Sequence, residues 1–392
     1  MSMNSDSQNI GADAKKFEFR GNAKEWFGIW IVNLLLSIVT IGIYSAWAKV
    51  RSKKYFYNNT FVDGRNFDYH ATGKQILIGR IIVVVGYVAF NLLLTLSPAL
   101  GAVLAIGILI LMPWLIVRSM MFNARMSSFS NVRFRFHGKY GRAFFVFVAL
   151  PILFYIGIGL VVFAGGYLGF ESGNMVVGVV FILLAIALLF IAFPVIDRMA
   201  KAFSIDNHTL GTAAFSINTT VGPFIKAGAW AAAWAISVFV IGGVLFSSVF
   251  SEMFEAFGRS TSGQNPFELL GFMGVLYLYL FVAILPAGFI YQAIVRNVVY
   301  NNTALAGGHR FQSNVKARKM LWIAVSNMVV VICSLFLMLP WAQVRLAKYL
   351  ADHTYLLPGS SLDEFIGTQM DESGAVGDAF SDLEGIDVGL PL

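Results

Sequence analysis

The chain has 392 residues, of which 58% are hydrophobic and only 12% charged, with 36 Phe and a formal net charge of +7. A soluble domain carries about 25% charged residues, so this composition excludes a soluble globular protein and predicts an integral membrane protein. The single Cys, Cys333, lies inside an apolar run and excludes a disulfide framework or a Cys-based metal site. The positive charge does not point to nucleic acid, because the basic residues sit in loops between apolar stretches, where membrane topology accounts for them.

Residues 1–16 are polar and read as a disordered N-terminus. The first apolar run, Trp26 to Trp47, is too long for a signal peptide and lacks a small-residue cleavage site, so it is expected to stay in the mature protein. A span needs about 20 apolar residues. Eight segments approach that length: 26–47, 76–97, 99–117, 144–165, 175–197, 224–248, 269–292 and 321–341. Only the Ser97-Pro98 turn separates the second from the third, which makes them a tight antiparallel pair.

Four connections are rich in Lys and Arg, those after the first, third, fifth and seventh segments, and the positive-inside rule places them in the cytoplasm. Each also contains a short alternating tract behind a polar turn: Phe67 to His70, Phe134 to His137, Phe215 to Asn218 and Phe311 to Asn314. Alternation with turn residues such as Asp63-Gly64 and Gly307-Gly308 predicts β-hairpins. Phe17 to Gly21 resembles the second strand of such a hairpin, and Asp352 to Leu357 the first strand of another. Pairing of these two halves would close a cytoplasmic β-layer without a free edge.

The chain writes one phrase twice. Trp47 to Tyr55 reads WAKVRSKKY, and 294 positions later Trp341 to Tyr349 reads WAQVRLAKY, with Asn33 and Asn327 at the same offset upstream. The signature positions are Gly42, Trp47, Arg51 and Tyr55 in the first copy, and Trp341, Arg345 and Tyr349 in the second. Such self-similarity marks an internal repeat. It bears on topology: if all eight segments cross, the two copies face opposite compartments, and if the first and last segments are re-entrant they face the same one. The repeat favours re-entrant ends, with Thr40 to Tyr44 as the place where two half-helices bend.

Asn33, Asn91 and Asn327 are the candidate polar membrane positions. They either line a translocation path or headgroup site, or hydrogen-bond between helices. The five His residues fall in the hairpin units at different offsets, which argues for local hydrogen bonds over a metal site. No cofactor motif and no catalytic constellation at membrane depth is found, so no enzyme activity is expected. From Gly359 onward the chain is acidic, without Lys or Arg, and reads as a disordered tail, residues 359–392.

Thr40 to Tyr44, Ala46-Trp47-Ala48, Tyr55, Thr60, Asp63-Gly64, Phe67 to Tyr69 and Thr72-Gly73 together resemble the signature of the bacterial YjgN family, a domain of unknown function, over positions 17 to about 358. Ile41 stands where Leu is usual and Ala46 where Pro is common. The resemblance implies a multi-pass protein of the bacterial inner (plasma) membrane and carries no site residue. The sequence therefore predicts an all-α polytopic membrane protein of six to eight helices with short cytoplasmic β-hairpins. Its membrane domain covers 17–358. The expected function is transport or channel-like, for a small or amphipathic solute. The alternative is a non-catalytic scaffold that binds a cytoplasmic partner or anionic lipid headgroups through its hairpin layer and tail.

Overall fold

The short alternating tracts form strands because β-branched and aromatic residues fit a pleated, half-buried surface. Left-handed turn residues set their register. Asp63 and Gly64 (φ 51° and 75°) join β2 (Thr60–Val62) to β3 (Arg65–Tyr69), and Ser130 and Asn131 (49° and 66°) join β4 (Ser127–Phe129) to β5 (Val132–Phe136). β6 (His208–Leu210) with β7 (Ala213–Ile217), and β8 (Thr303–Leu305) with β9 (His309–Ser313), repeat the unit. The computed structural model describes residues 13–245 and 266–381, together with positions 247, 251, 252 and 255.

The hairpins do not stay separate. β1 (Lys15–Phe19) pairs with β10 (Thr354–Leu357) on one side and with β2 on the other, and ten antiparallel strands close into one barrel. Lys15 faces Leu356 and Phe19 faces Thr60 across these two seams. The pairing of the two terminal half-hairpins agrees with the expected closed β-layer, while the ten-strand barrel corrects the expectation of an all-α chain with short hairpins between its helices, because four-residue tracts are too short to declare a whole β-domain. Every five-residue strand places a Phe at its centre. Phe17, Phe67, Phe134, Phe215 and Phe311 form an inner ring, with centroids 6.1–6.3 Å apart for the stacked pairs Phe17 with Phe67, Phe134 with Phe215, and Phe215 with Phe311. Val62, Phe129, Leu210, Leu305 and Leu356 are buried beside them.

Helices continue the barrel. α2 (Ser45–Asn58), α4 (Pro98–Arg125), α7 (Met175–Asp206), α9 (Pro266–Asn301) and α11 (Leu339–Asp352) each run into the first strand of a hairpin after one residue. α1 (Ala23–Val39), α3 (Gly73–Leu96), α5 (Tyr140–Phe144), α8 (Gly222–Leu245) and α10 (Ala317–Cys333) leave from the second strands, with a π-helical turn, Phe145–Ala149, linking α5 to α6 (Leu150–Glu171). Each helix packs on the next, and α11 returns to α1, so the helices also make a closed ring.

Among the described residues, six helical stretches are long and apolar enough to cross a membrane: Gly73–Leu96, Pro98–Arg125, Tyr140–Glu171, Met175–Asp206, Gly222–Val244 and Met273–Asn301. They bury almost none of their apolar surface inside the protein, as lipid-facing helices do. The first and last apolar segments behave differently. Each splits into two short helices, α1 with α2 and α10 with α11, that start and end at the barrel. The breaks coincide under the 294-residue offset. Ile41 and Gly42 have φ of 50° and 85°, Leu335 and Phe336 49° and 69°. The Gly42 amide donates to the Ser37 carbonyl (2.7 Å) and the Phe336 amide to Val331 (2.8 Å).

The tail also departs from expectation. Leu362–Ser381 forms helix α12, with Leu362 and Ile366 buried against the barrel. Acidic composition predicted disorder, but the spacing of Leu362, Phe365, Ile366 and Gln369 presents one apolar face to a cavity that the sequence alone does not reveal. The polar N-terminus to residue 12, the far end of the sixth apolar segment (246 and 248) and the tail beyond 381 lie outside the described residues.

Candidate ligand path through the barrel

Because the five central Phe rings leave the barrel axis open, a cavity of about 420 Å³ remains within it. Its mouth at the hairpin turns is closed by α12. Leu362 and Phe365 line the cavity, and Gln369 Oε1 accepts hydrogen bonds from the Thr212 amide (2.8 Å), Thr212 Oγ1 (2.9 Å) and the Ala213 amide (3.0 Å). Phe365 lies edge-on to His309, 4.4 Å between centroids, and His309 Nδ1 accepts from the Gly359 amide at 3.2 Å. Arg65 pairs with Asp363 at the same rim.

At the helix end, Phe17, Phe67, Phe134, His208 and Tyr300 line both this bore and a vestibule of about 510 Å³. The vestibule walls come from the last turns of α2, α4, α9 and α11 and the strands that follow them. Its one charged wall group is Arg296. Arg296 Nη2 donates to Thr354 Oγ1 (2.9 Å), its guanidinium lies 4.3 Å from the Tyr300 ring centroid, and its Nε is buried without a partner. Behind the vestibule wall residue Asn123, Lys53 Nζ donates to Asn123 Oδ1 (2.6 Å) and lies over the Tyr69 ring, 4.7 Å from the centroid. Burial holds the His208 imidazole below its ordinary pKa, so this ring enters the path neutral at pH 7.

Arg296, Tyr300 and Leu350 are shared in turn with a third cavity, about 830 Å³, that runs between α7, α8 and α9. Its far end is apolar, with Leu189, Phe193, Ala231 and Ile284. Its near end carries Asp197, Lys201, Gln292 and Arg296. Asp197 Oδ2 accepts from Tyr291 Oη at 3.0 Å. Volumes of about 300–1,000 Å³ are those of small-molecule sites, and these three are neighbours that share lining residues, with Tyr300 common to all of them.

None of the three candidate Asn residues lines this path. Asn327 accepts from Arg345 Nη1 (2.8 Å) and donates to the Ala342 carbonyl (3.0 Å), tying α10 to α11. Asn33 is buried with both side-chain polar atoms unpartnered. Asn91 donates to the Tyr87 carbonyl (2.8 Å) on the exposed face of α3. The signature residues hold the two helix pairs. Tyr55 and Tyr349 each bond a backbone 33 residues upstream, Trp47 lies against Gly73, Trp341 beneath Arg345 (5.1 Å), and Arg51 over Tyr44 (5.7 Å). Arg296 escaped sequence reading. A signal existed: Lys53, Lys201 and Arg296 each stand seven residues before the first strand residue of their hairpins, Thr60, His208 and Thr303.

Among the described residues no three His, Cys, Asp or Glu converge as a metal site. Asp68, His70 and Ser128 do line up, with His70 Nε2 2.8 Å from Ser128 Oγ and Nδ1 3.8 Å from Asp68 Oδ2. A nucleophile must meet its substrate, and Ser128 is only 1% exposed and adjoins none of the three cavities, so this array is a strand-pair contact.

Residues 14–383 match the family model described as "Bacterial protein of unknown function (DUF898)". The chain belongs to this family. Its relatives include the Inner membrane protein YjgN of Salmonella typhimurium, 29% identical over 86% of this chain and 87% of that protein, and that of Escherichia coli K12, 26% identical over 96% of both. The family thus agrees with the resemblance carried by Thr40 to Tyr44 and the residues after it. No solved structure matches the chain.

Proposed function

We propose that this family member is a non-catalytic conduit of the bacterial inner membrane, carrying an amphipathic solute between the bilayer and the compartment that the barrel faces. The observation that carries the reading is the succession of three neighbouring cavities with shared lining residues: an apolar slot among spanning helices, a vestibule at Arg296 and an aromatic bore. The relatives' name supports the membrane assigned, and the basic loops support a cytoplasmic barrel. The helix pairs α1 with α2 and α10 with α11 are read as two copies of one re-entrant unit that returns both chain ends to the barrel side. In the scaffold alternative the tail grips a partner. The docking of α12 in the barrel mouth favours the conduit, since its apolar face is already occupied.

The test is release from liposomes. Vesicles bearing the protein and a fluorescent single-chain alkyl phosphate are mixed with an external acceptor, and the transfer rate is compared with protein-free vesicles. Faster transfer, slowed by Tyr300→Trp at the shared wall, is expected. Equal rates with and without protein across a panel of amphiphiles would end the conduit reading.

A further inference from the structure

The vestibule and the helix slot share Arg296, and the charges around it define what fits. Asp197, Lys201 and Arg296 are the charged side chains that line the slot, and they sum to one positive charge. Arg296 keeps one buried N–H without an acceptor, and a guanidinium takes an oxyanion through paired N–H groups. The polar end therefore has the charge and the free donor for a singly charged oxyanion.

The other end fixes what the oxyanion is attached to. Lys201 to Leu189 on α7 and Arg296 to Ile284 on α9 each cover twelve residues, about 18 Å at 1.5 Å per residue. That approximates one leaflet of a hydrocarbon core of about 30 Å. Along this length Leu189, Phe193 and Ile284 line the slot while 54%, 59% and 60% of their surface stays uncovered by protein. Small residues at Gly228, Ala231, Ala287 and Gly288 keep the groove open between the helices. A cation at the barrel end of a leaflet-length apolar groove matches a lipid with its headgroup phosphate at Arg296 and an acyl chain along α7 and α9.

We propose that the Arg296 slot binds an anionic phospholipid whose single phosphodiester charge pairs with Arg296. This names the ligand class of the cavity on which the conduit reading rests, and binding is measured without flux so that the two fail separately. Full-length protein in detergent is titrated with phosphatidylglycerol, phosphatidylcholine and inorganic phosphate, with bound adducts counted by native mass spectrometry. Phosphatidylglycerol is expected to bind about tenfold more tightly than phosphatidylcholine, to weaken about tenfold in Arg296→Gln, and to recover in part in Arg296→Lys. Inorganic phosphate is expected not to displace it.

Ala287→Phe fills the groove without touching Arg296 and should weaken phosphatidylglycerol binding equally, which keeps the test intact if Arg296→Gln does not fold. Equal affinity for the two lipids, or binding indifferent to both substitutions, would overturn the proposal. Displacement by millimolar inorganic phosphate would make the site one for a free anion and overturn it as a lipid site. Tight, Arg296-dependent lipid binding without transfer activity would leave this inference standing and remove the conduit.

Discussion

Tyr349 Oη donates to the Lys316 carbonyl (3.2 Å) and accepts from the Lys316 amide (3.0 Å), clamping the end of α11 to the start of α10. Tyr55 does the same to Asn22, donating at 2.9 Å and accepting at 3.0 Å. Both clamps stand where a strand becomes a helix and where the backbone has no ladder partner. Tyr55→Phe and Tyr349→Phe each leave one backbone amide without its acceptor, while the carbonyl keeps its helical donor (Trp26 on Asn22, Met320 on Lys316), and are expected to cost about 1–3 kcal/mol. Thermal unfolding of the protein in detergent checks this; unchanged midpoints would show that water replaces the hydroxyl.

The two repeat-related Asn residues are expected to respond oppositely. Asn327→Leu removes one of the two acceptors of Arg345 Nη1, leaving Ser326 Oγ, and takes a donor from the Ala342 carbonyl, a loss of about 1–3 kcal/mol. Asn33 has no partner to lose, so Asn33→Leu removes a buried unsatisfied amide and should be neutral or stabilising. Equal destabilisation of both variants in the same melting assay would contradict the difference between the copies.

Much of the fold was legible because its signals are local. The apolar runs, the Phe-centred tracts and the repeated WAKVR phrase each have a physical period that the chain displays. The joining of Phe17 and Tyr355 strands into a closed barrel was an inference from two half-hairpins. The plug was not legible, since α12 becomes apolar only relative to the bore that receives it. Arg296 was hidden for a similar reason: a lone Arg near a helix end reads as a topological anchor, and only the fold puts Thr354 and Tyr300 around it. The Asn residues stood out by polarity, yet Asn327 joins two helices, Asn91 faces outward and Asn33 is buried without a partner.

Docking of α12 is expected to weaken in acid. Burial pushes the His309 imidazole below its ordinary pKa of about 6.5, and its Nδ1 must stay unprotonated to accept from Gly359. The undocked chain binds a proton that the docked one refuses. The stabilisation is therefore complete above about pH 6.5 and is lost as pH falls through the lower folded value. Protease cleavage within residues 359–381 should accelerate between pH 7 and pH 5, and His309→Phe should flatten that profile.

Gly359 also has no room for a side chain, since a Cβ there would stand 2.5 Å from the Gly308 carbonyl carbon and 2.6 Å from the Gly307 oxygen. Gly359→Ala should release α12 at neutral pH, with the barrel and helices intact by circular dichroism. Protection of the tail from protease equal to that of the unaltered protein would refute the close approach.

The central claim is that bore and vestibule form one passage closed at its outer mouth by α12. Its most direct test replaces the exposed Cys333 by Ala and places single cysteines at Leu305→Cys in the bore or Tyr300→Cys at the shared wall. These are made with and without residues 359–392, and inverted membrane vesicles are treated with a membrane-impermeant thiol reagent. The account predicts that both positions are protected in the full chain and that both react once the tail is removed. Reaction at Leu305→Cys alone would show a bore that ends blind, and labelling at neither position would show that no aqueous passage lies behind the plug.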